Sequence, residues 1–195
     1  MDDIEGVKLY KNIFTDDECT ELVGLMLYKS TINWEVKTSK LDQTRSQVAF
    51  SNGKKSKIMY TEPMPISKNM EVFCIINSKI RDLLQNLAEE KLVEITRVMD
   101  LWSCYLYEDG SQSSPVLDID FQAPERPVVI LALGHSRHIL IRSKKTEKLI
   151  LKYKVEKGSV LCLFGSFNKH YTVQIPMEDC SKLHIQMVGG FSKFT

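Results

Sequence analysis

The second half of the chain consists of seven short runs that are rich in β-branched and aromatic residues and are separated by turn residues. In order they read VMDLWSCYLYE, PVVILALG, RHILIR, KLILKYKV, SVLCLF, HYTVQIP and KLHIQMVGGF. Such runs are typical of strands, and no third long helical pattern interrupts them. Strands that follow helices predict an α+β fold in which a sandwich or barrel packs against those helices.

Two amphipathic segments in the first half predict the helices. The first, FTDDECTELVGLMLYKS, begins with Thr15 as N-cap and has acidic residues in its first turn. The second, SKNMEVFCIINSKIRDLLQNLAEEKL, carries apolar residues at every third or fourth position. Between them, the Asn52-Gly53 pair within RSQVAFSNGKKSKIMY predicts a β-hairpin near residues 45–60.

The length and continuity of the chain predict one domain. A chain of 195 residues with 43% hydrophobic residues can bury one sizeable core, and it contains no internal repeat or linker. We therefore expect residues 1–195 to form a single unit. Residues 1–93 would supply helices and a lid-like hairpin, and residues 94–195 the barrel.

Charge and cysteine content narrow the cellular setting. A formal charge of +1 gives no overall attraction to nucleic acid or to an anionic membrane. The acidic N-terminus and the lack of a window of about 18 apolar residues predict a cytoplasmic or nuclear protein rather than a membrane protein. Five widely spaced cysteines favour buried thiols in a reducing compartment over disulfides: Cys19, Cys74, Cys104, Cys162 and Cys180.

Four motifs in the strand-rich half resemble those of one family. WSCYLYEDG resembles N-x-Y-x-x-G, and PVVILALGHSRHILIR resembles a strand, an S-L-G turn and R-x-F-x-F-R. VEKGSVLCLFG resembles L-x-x-G-S-L-L-x-M-x-G, and HYTVQIP resembles W-x-H-x-I-P. Their order and spacing resemble the AlkB family of 2-oxoglutarate/Fe(II) dioxygenases, from about residue 7 to residue 193. The resemblance implies a double-stranded β-helix, or jelly-roll barrel, with two N-terminal helices packed on it.

The resemblance also implies an iron site formed by His-x-Asp and a distal histidine. In this sequence the first histidine position falls on Val116, the aspartate on Asp118 and the distal histidine on Val173. A register shifted by two residues pairs Asp118 with Asp120 and still supplies no imidazole. Because valine has no lone pair to donate, we expect no metal, no cofactor and no catalytic residue.

The 2-oxoglutarate site implied by the resemblance is altered in the same way. The last strand, KLHIQMV, resembles R-x-N-x-T-x-R and places Lys182 and Val188 where the family has arginines. A lysine at the first position can pair with a carboxylate only as a point charge, without the bidentate fork of arginine.

The polar residues of the last strand leave two interpretations open. Alternation places Lys182, His184 and Gln186 on one inward face, where with Asp118 and His170 they could form a remnant pocket for a small anion or a nucleobase. Alternatively, His184 is a hydrogen-bonded interior histidine, and larger side chains fill the mouth of a barrel that has lost its cofactor.

Two basic segments are candidate contact surfaces. A basic hairpin with an aromatic residue suits phosphate contacts and base stacking, and here it comprises Arg45, Lys54, Lys55, Lys57 and Tyr60. Ordinary surface charge explains the same residues without a ligand. The second segment is interpreted as the solvated face of a sheet, with Lys144, Lys145, Lys148, Lys152, Lys154 and Lys157.

Together these features predict a catalytically inactive AlkB-like protein that acts as a binding or scaffold module in a protein or ribonucleoprotein complex. The expected partner is a protein, with RNA or DNA as the alternative. The competing hypothesis is a residual Fe(II)/2-oxoglutarate-dependent nucleic-acid demethylase that uses unusual ligands.

Overall fold

The computed structural model describes residues 4–28, 32–38, 44–51, 63–93, 99–107, 126–176 and 183–191. The described residues form eleven strands and three helices. The helices are α1 (Asp16–Tyr28), α2 (Met70–Glu89), which follows a 3-10 turn, and the four-residue α3 (Phe167–His170). The strands are β1 (Val7–Tyr10), β2 (Glu35–Thr38), β3 (Thr44–Ser51), β4 (Met64–Pro65), β5 (Leu101–Tyr107), β6 (Val128–Gly134), β7 (Arg137–Ser143), β8 (Leu149–Val155), β9 (Val160–Leu163), β10 (Tyr171–Gln174) and β11 (His184–Gly190).

The strands form two sheets. The large sheet has eight strands in the order β1-β9-β6-β11-β5-β3-β2, with β4 beside β3, and the small sheet has the order β10-β7-β8. All pairs are antiparallel except β3 with β4. From β5 onward the chain passes repeatedly from one sheet to the other, as in a jelly roll. The predicted α+β double-stranded β-helix with two N-terminal helices is confirmed.

The first half of the chain contributes strands to the large sheet as well as helices. Strand β1 pairs with β9, and β3 pairs with β5 from Ser46 to Ser51. The other edge of β3 pairs with β2, which precedes it, and with β4. The strand before Asn52-Gly53 is therefore present, whereas that turn and the second arm of the predicted hairpin lie outside the described residues.

One apolar core lies between the helices and the outer face of the large sheet. Buried residues of α1 and α2 pack there against alternate residues of β3, β5, β6, β9 and β11. An aromatic group anchors the contact, because the Phe73 ring lies 5.1 Å from that of Phe50 and 6.0 Å from that of Trp102. Burial of this face, rather than helix propensity alone, stabilises the two helices in their positions.

A second apolar core lies between the two sheets. It contains Ile139 and Ile141 from β7, Val173 from β10 and Ile130 and Val188 from the large sheet, all of them buried. The large sheet is therefore covered on both faces. This explains why β5, β6 and β11 are buried along nearly their whole length instead of alternating between buried and exposed residues.

The four described cysteines are free thiols, as the sequence predicts. Cys19, Cys104 and Cys162 are buried, and burial raises the pKa of the Cys19 thiol to about 11. Cys74 is exposed, because the helical repeat turns it away from the apolar stripe of α2 despite its apolar neighbours in sequence. Cys180 lies outside the described residues. Among the described residues, no helix is long and apolar enough to cross a membrane.

Reciprocal hydrogen bonds fix the start of α1. The Glu18 N–H donates to the Thr15 hydroxyl at 3.2 Å, and the Thr15 N–H donates to the Glu18 carboxylate at 2.8 Å. This capping box confirms Thr15 as the N-cap. The hydrogen bond from the Thr15 backbone, with Lys79 of α2 at 3.1 Å, lowers the pKa of Glu18 below its usual range.

We expect Thr15→Ala to lower the free energy of unfolding by about 1 kcal/mol, because one N–H of the first turn then loses its acceptor. Thr15→Ser keeps the hydroxyl and is expected to stay close to the unsubstituted chain. Urea denaturation followed by circular dichroism measures both variants. An equal loss of stability in the two would show that the hydroxyl contributes nothing.

Candidate functional site

Strand β11 carries two buried polar residues, His184 and Gln186. It pairs with β5 on one edge and with β6 on the other. Ile185 and Met187 belong to the core beneath the helices, so His184, Gln186 and Val188 alternate with them and face the barrel interior. His184 and Gln186 thus share one face as predicted, and both are buried. Lys182, the third predicted member of this row, lies outside the described residues.

The His184 ring is held in a fixed orientation. Its Nδ1 lies 2.7 Å from the carbonyl oxygen of His135, and because a carbonyl only accepts, Nδ1 must carry a proton. The ring also lies 5.9 Å from that of Tyr107. This geometry agrees with the interpretation of His184 as a hydrogen-bonded interior histidine.

The turn that presents the His135 carbonyl depends on a glycine. Gly134 has a φ of +82°, and a Cβ added there would lie 2.5 Å from the Leu183 carbonyl oxygen. That carbonyl accepts a hydrogen bond from the His135 N–H at 2.8 Å. The absence of a side chain at position 134 therefore lets the β6–β7 turn approach β11 closely enough to hold His184.

Two of the candidate ligand positions lie among the described residues, and both are occupied by buried valine side chains. Val173, where the sequence resemblance implies the distal histidine, is 0% exposed and pairs with Ile141 of β7. Val188, where the resemblance implies the final arginine, is 1% exposed and lies between Ser103 and Ile130. Both belong to the core between the sheets. Val116 and Asp118 lie outside the described residues.

A buried guanidinium lies inside the barrel, and the sequence analysis did not identify it as functional. Arg137, the first residue of β7, is 1% exposed. Its Nη2 donates to the Pro176 carbonyl oxygen at 2.7 Å, and its Cζ lies 5.5 Å from the centre of the Tyr107 ring. The alternation of Arg137 with Ile139 and Ile141 was the available signal, because it places all three on the inner face of β7.

Neutral polar groups line the neighbouring part of the large sheet. Gln47 of β3 pairs with Tyr105 of β5, which pairs with Gln186 of β11, and Ser103 lies two residues before Tyr105. All four are buried. Within the described part of the chain, Ser103 Oγ and Gln186 Oε1 have no hydrogen-bond partner. The inner face of the sheet therefore offers amide and hydroxyl groups beside the apolar cluster.

The remaining predicted site residues are dispersed or not described. His170 lies exposed at the end of α3, with its ring 6.3 Å from that of Tyr171. Arg45 lies in β3, but its side chain is outside the described set, as are Lys54, Lys55, Lys57 and Tyr60. Among the described residues, no group of three or more histidine, cysteine, aspartate or glutamate side chains could hold a metal ion.

The second basic segment lies on the β7–β8 hairpin. Lys152 and Lys154 are exposed, whereas Leu151 and Tyr153 are half-buried and Val155 is buried. Every second residue of β8 therefore faces solvent. This is the solvated sheet face that the sequence predicts.

Comparison with known proteins identifies the fold. No protein-family model matches the chain, and no curated protein matches it significantly. The solved structure of OsALKBH1 is similar over 97% of this chain and 100% of its own, with a TM-score of 0.69 and 13% identity. A prolyl hydroxylase from Trichoplax adhaerens, solved with a hypoxia inducible factor oxygen degradation domain peptide fragment, is similar over 96% of this chain and 84% of its own, with a TM-score of 0.63 and 11% identity. The viral collagen prolyl hydroxylase of Paramecium bursaria Chlorella virus-1, solved as a 2OG complex, is similar over 94% of this chain and 96% of its own, with a TM-score of 0.51 and 14% identity. The chain therefore has the double-stranded β-helix fold of the 2-oxoglutarate/Fe(II) dioxygenases.

We expect Arg137→Met to lower the free energy of unfolding by about 2 kcal/mol or more. The substitution removes a charge-assisted hydrogen bond and a desolvated contact between a cation and an aromatic ring. Arg142→Met is the matched control, because Arg142 lies on the same strand but faces outward and is half-buried. Chemical denaturation of both variants measures the difference. Equal losses of stability in the two variants would show that the interior position of Arg137 adds nothing to its contribution to folding.

Proposed function

We propose that this chain is a catalytically inactive AlkB-like protein that works as a binding or scaffold module in a protein or ribonucleoprotein complex. The observation that carries the proposal is the burial of Val173 and Val188 in the core between the two sheets. The resemblance to the AlkB family implies an iron-binding histidine at the first of these positions and a 2-oxoglutarate-binding arginine at the second.

Coordination chemistry supports inactivity. Non-haem Fe(II) oxygenases hold their metal with two imidazoles and one carboxylate, which leave open positions for substrate and oxygen. At the corresponding positions this chain has Val116, Asp118 and Val173. One carboxylate without the two imidazoles provides only a small part of the free energy of Fe(II) binding. The alternative register, which pairs Asp118 with Asp120, also provides no nitrogen ligand. The residues present do not fit the metal.

The basic groups near the keto-acid position also support the proposal. Val188 cannot pair with a carboxylate, and Lys182 lacks the planar fork of arginine. The described guanidinium inside the barrel belongs to Arg137, which reaches the interior from β7 and is held against Pro176 and Tyr107. It therefore acts as a structural cation that links the end of β10 to the barrel wall.

A binding role is consistent with how this fold is stabilised. The large sheet is covered by apolar residues on both faces, so its stability requires no cofactor. Sheet edges and connecting loops then remain available to contact a partner.

We expect purified protein to contain no stoichiometric iron and to show no thermal shift with Fe(II) and 2-oxoglutarate under anaerobic conditions. A ligand present at 100 times its Kd would stabilise the chain by about 2.7 kcal/mol, which for a domain of this size raises Tm by roughly 5–10 °C. Elemental analysis and differential scanning fluorimetry measure both quantities. Asp118→Ala is the control, because any metal held by unusual ligands through that carboxylate should be lost in the variant. Stoichiometric iron with a keto-acid-dependent shift that disappears in Asp118→Ala would overturn the proposal.

Nucleic acid is the alternative partner, and salt dependence tests it separately. Direct phosphate contacts make binding weaken steeply as salt rises, and removal of a contacting lysine reduces that slope by about one per contact. We expect mixed-sequence oligonucleotides to bind weakly and Lys54→Ala/Lys55→Ala to leave the slope unchanged. A steep slope that falls by about two in this double variant would favour the nucleic-acid role instead.

A further inference from the structure

In the described part of the chain, strand β8 is the edge strand of the small sheet. It pairs along one side with β7, and among the described residues no strand lies on its other side. An unpaired edge presents backbone N–H and C=O groups that can pair with an added strand. Leu149 and Ile150, at the beginning of β8, are 49% and 46% exposed. The edge therefore offers both a hydrogen-bonding template and an apolar contact.

Positive charge is concentrated on the same hairpin. Residues 142–157 contain seven basic and two acidic side chains, a net +5, whereas the whole chain carries +1, so the remaining residues together carry −4. Within the part of the chain that the structure describes, Lys145, Lys148, Lys152 and Lys154 form no ion pair. The nearly neutral total therefore conceals a strongly basic local surface.

The spacing of the charges matches a strand. Lys152 and Lys154 are two residues apart on β8 and point to the same face, so they lie roughly 7 Å from each other. Residues at every second position of an added strand would stand directly opposite them. Opposite charges in such cross-strand pairs are stabilising, and like charges are destabilising.

We propose that the free edge of β8 (Leu149–Val155) binds an extended acidic segment of a partner protein by strand addition. The segment would carry acidic residues at alternate positions, facing Lys152 and Lys154, and apolar residues between them, next to Leu151 and Tyr153. This inference rests on the proposed binding role and specifies the surface and the chemistry of the partner.

Two other occupants fit this edge less well. A second copy of the chain would place lysine opposite lysine, and such charges on edge strands oppose self-pairing. A nucleic acid could contact the lysines but would not use the backbone edge. The outer face of the described small sheet also carries no Phe, Tyr or Trp on which a base could stack, because Tyr153 and Tyr171 both pack toward the core between the sheets.

Fluorescence anisotropy with the full-length chain and labelled nine-residue peptides tests the proposal. The first peptide alternates glutamate with valine. The second has the same composition with its glutamates grouped at one end, and the third replaces the two central valines with proline, which cannot complete a strand ladder. We expect the first peptide to bind at least about tenfold more tightly than the other two, and to bind more weakly as salt rises.

Charge reversal on the protein locates the site. In Lys152→Glu/Lys154→Glu we expect affinity for the glutamate peptide to fall at least about tenfold and affinity for a matching lysine–valine peptide to rise. Lys68→Glu/Lys91→Glu is the control, since it makes the same charge change at exposed positions on the α2 side of the molecule. Circular dichroism and Tm confirm that both double variants are folded.

Three outcomes would overturn the proposal: equal binding of the proline peptide, equal effects of the two double variants, or failure of the glutamate peptide to bind. Tight binding of a single-stranded oligonucleotide that Lys152→Glu/Lys154→Glu abolishes, without peptide binding, would instead assign the surface to nucleic acid. None of these results changes iron content or the response to 2-oxoglutarate. If the peptide experiments fail, the partner must bind a different surface. The proposed inactive role would be overturned only by binding of metal and keto acid.

Discussion

The two-sided burial of β11 is the constraint on which the rest of the structure depends. This strand pairs with β5 and β6 along both edges, and all seven of its residues are buried. One set of alternate side chains belongs to the core beneath the helices, and the other set faces the space between the sheets. A shift in register by one residue would exchange the two sets and move His184 and Gln186 into the apolar contact with α1 and α2. The register of one strand therefore fixes both the packing of the helices and the composition of the barrel interior.

The sequence predicts those parts of the fold in which a residue pattern is compatible with only one low-energy local structure. The apolar repeat of α2 and the Thr15 cap of α1 define the helices because each is a local signal. The inward placement of His184 and Gln186 follows from alternation alone. Strands β1 and β2 were not predicted, because four-residue segments such as VKLY acquire their structure from a distant partner, here β9, and not from their own pattern.

Arg137 shows why the candidate site could be only partly predicted. An arginine at the start of a strand usually points to solvent, and the cost of burying a charge argues against an interior position. The structure offsets that cost with the Pro176 carbonyl and the Tyr107 ring, which lie 39 and 30 positions away in sequence. No local sequence pattern predicts interaction partners that are so distant along the chain. The resemblance implies cationic positions at Lys182 and at residue 188, whereas Arg137 reaches the interior from β7. The inward alternation of β7 was the available sequence signal for it.

The two valines also change how the barrel gains its stability. Where histidine or arginine lines a barrel to hold a ligand, the unliganded state leaves buried polar groups unsatisfied, at a cost of roughly 1–3 kcal/mol each, and the ligand's binding energy contributes to folding. Buried hydrocarbon at the same positions contributes roughly 1.5–3 kcal/mol per side chain without any ligand. Val173 and Val188 lie in one apolar cluster with Ile139, Ile141 and Ile175, so this part of the interior packs as an apolar core beside the buried polar groups. Apolar packing therefore stabilises this part of the barrel without a bound ligand.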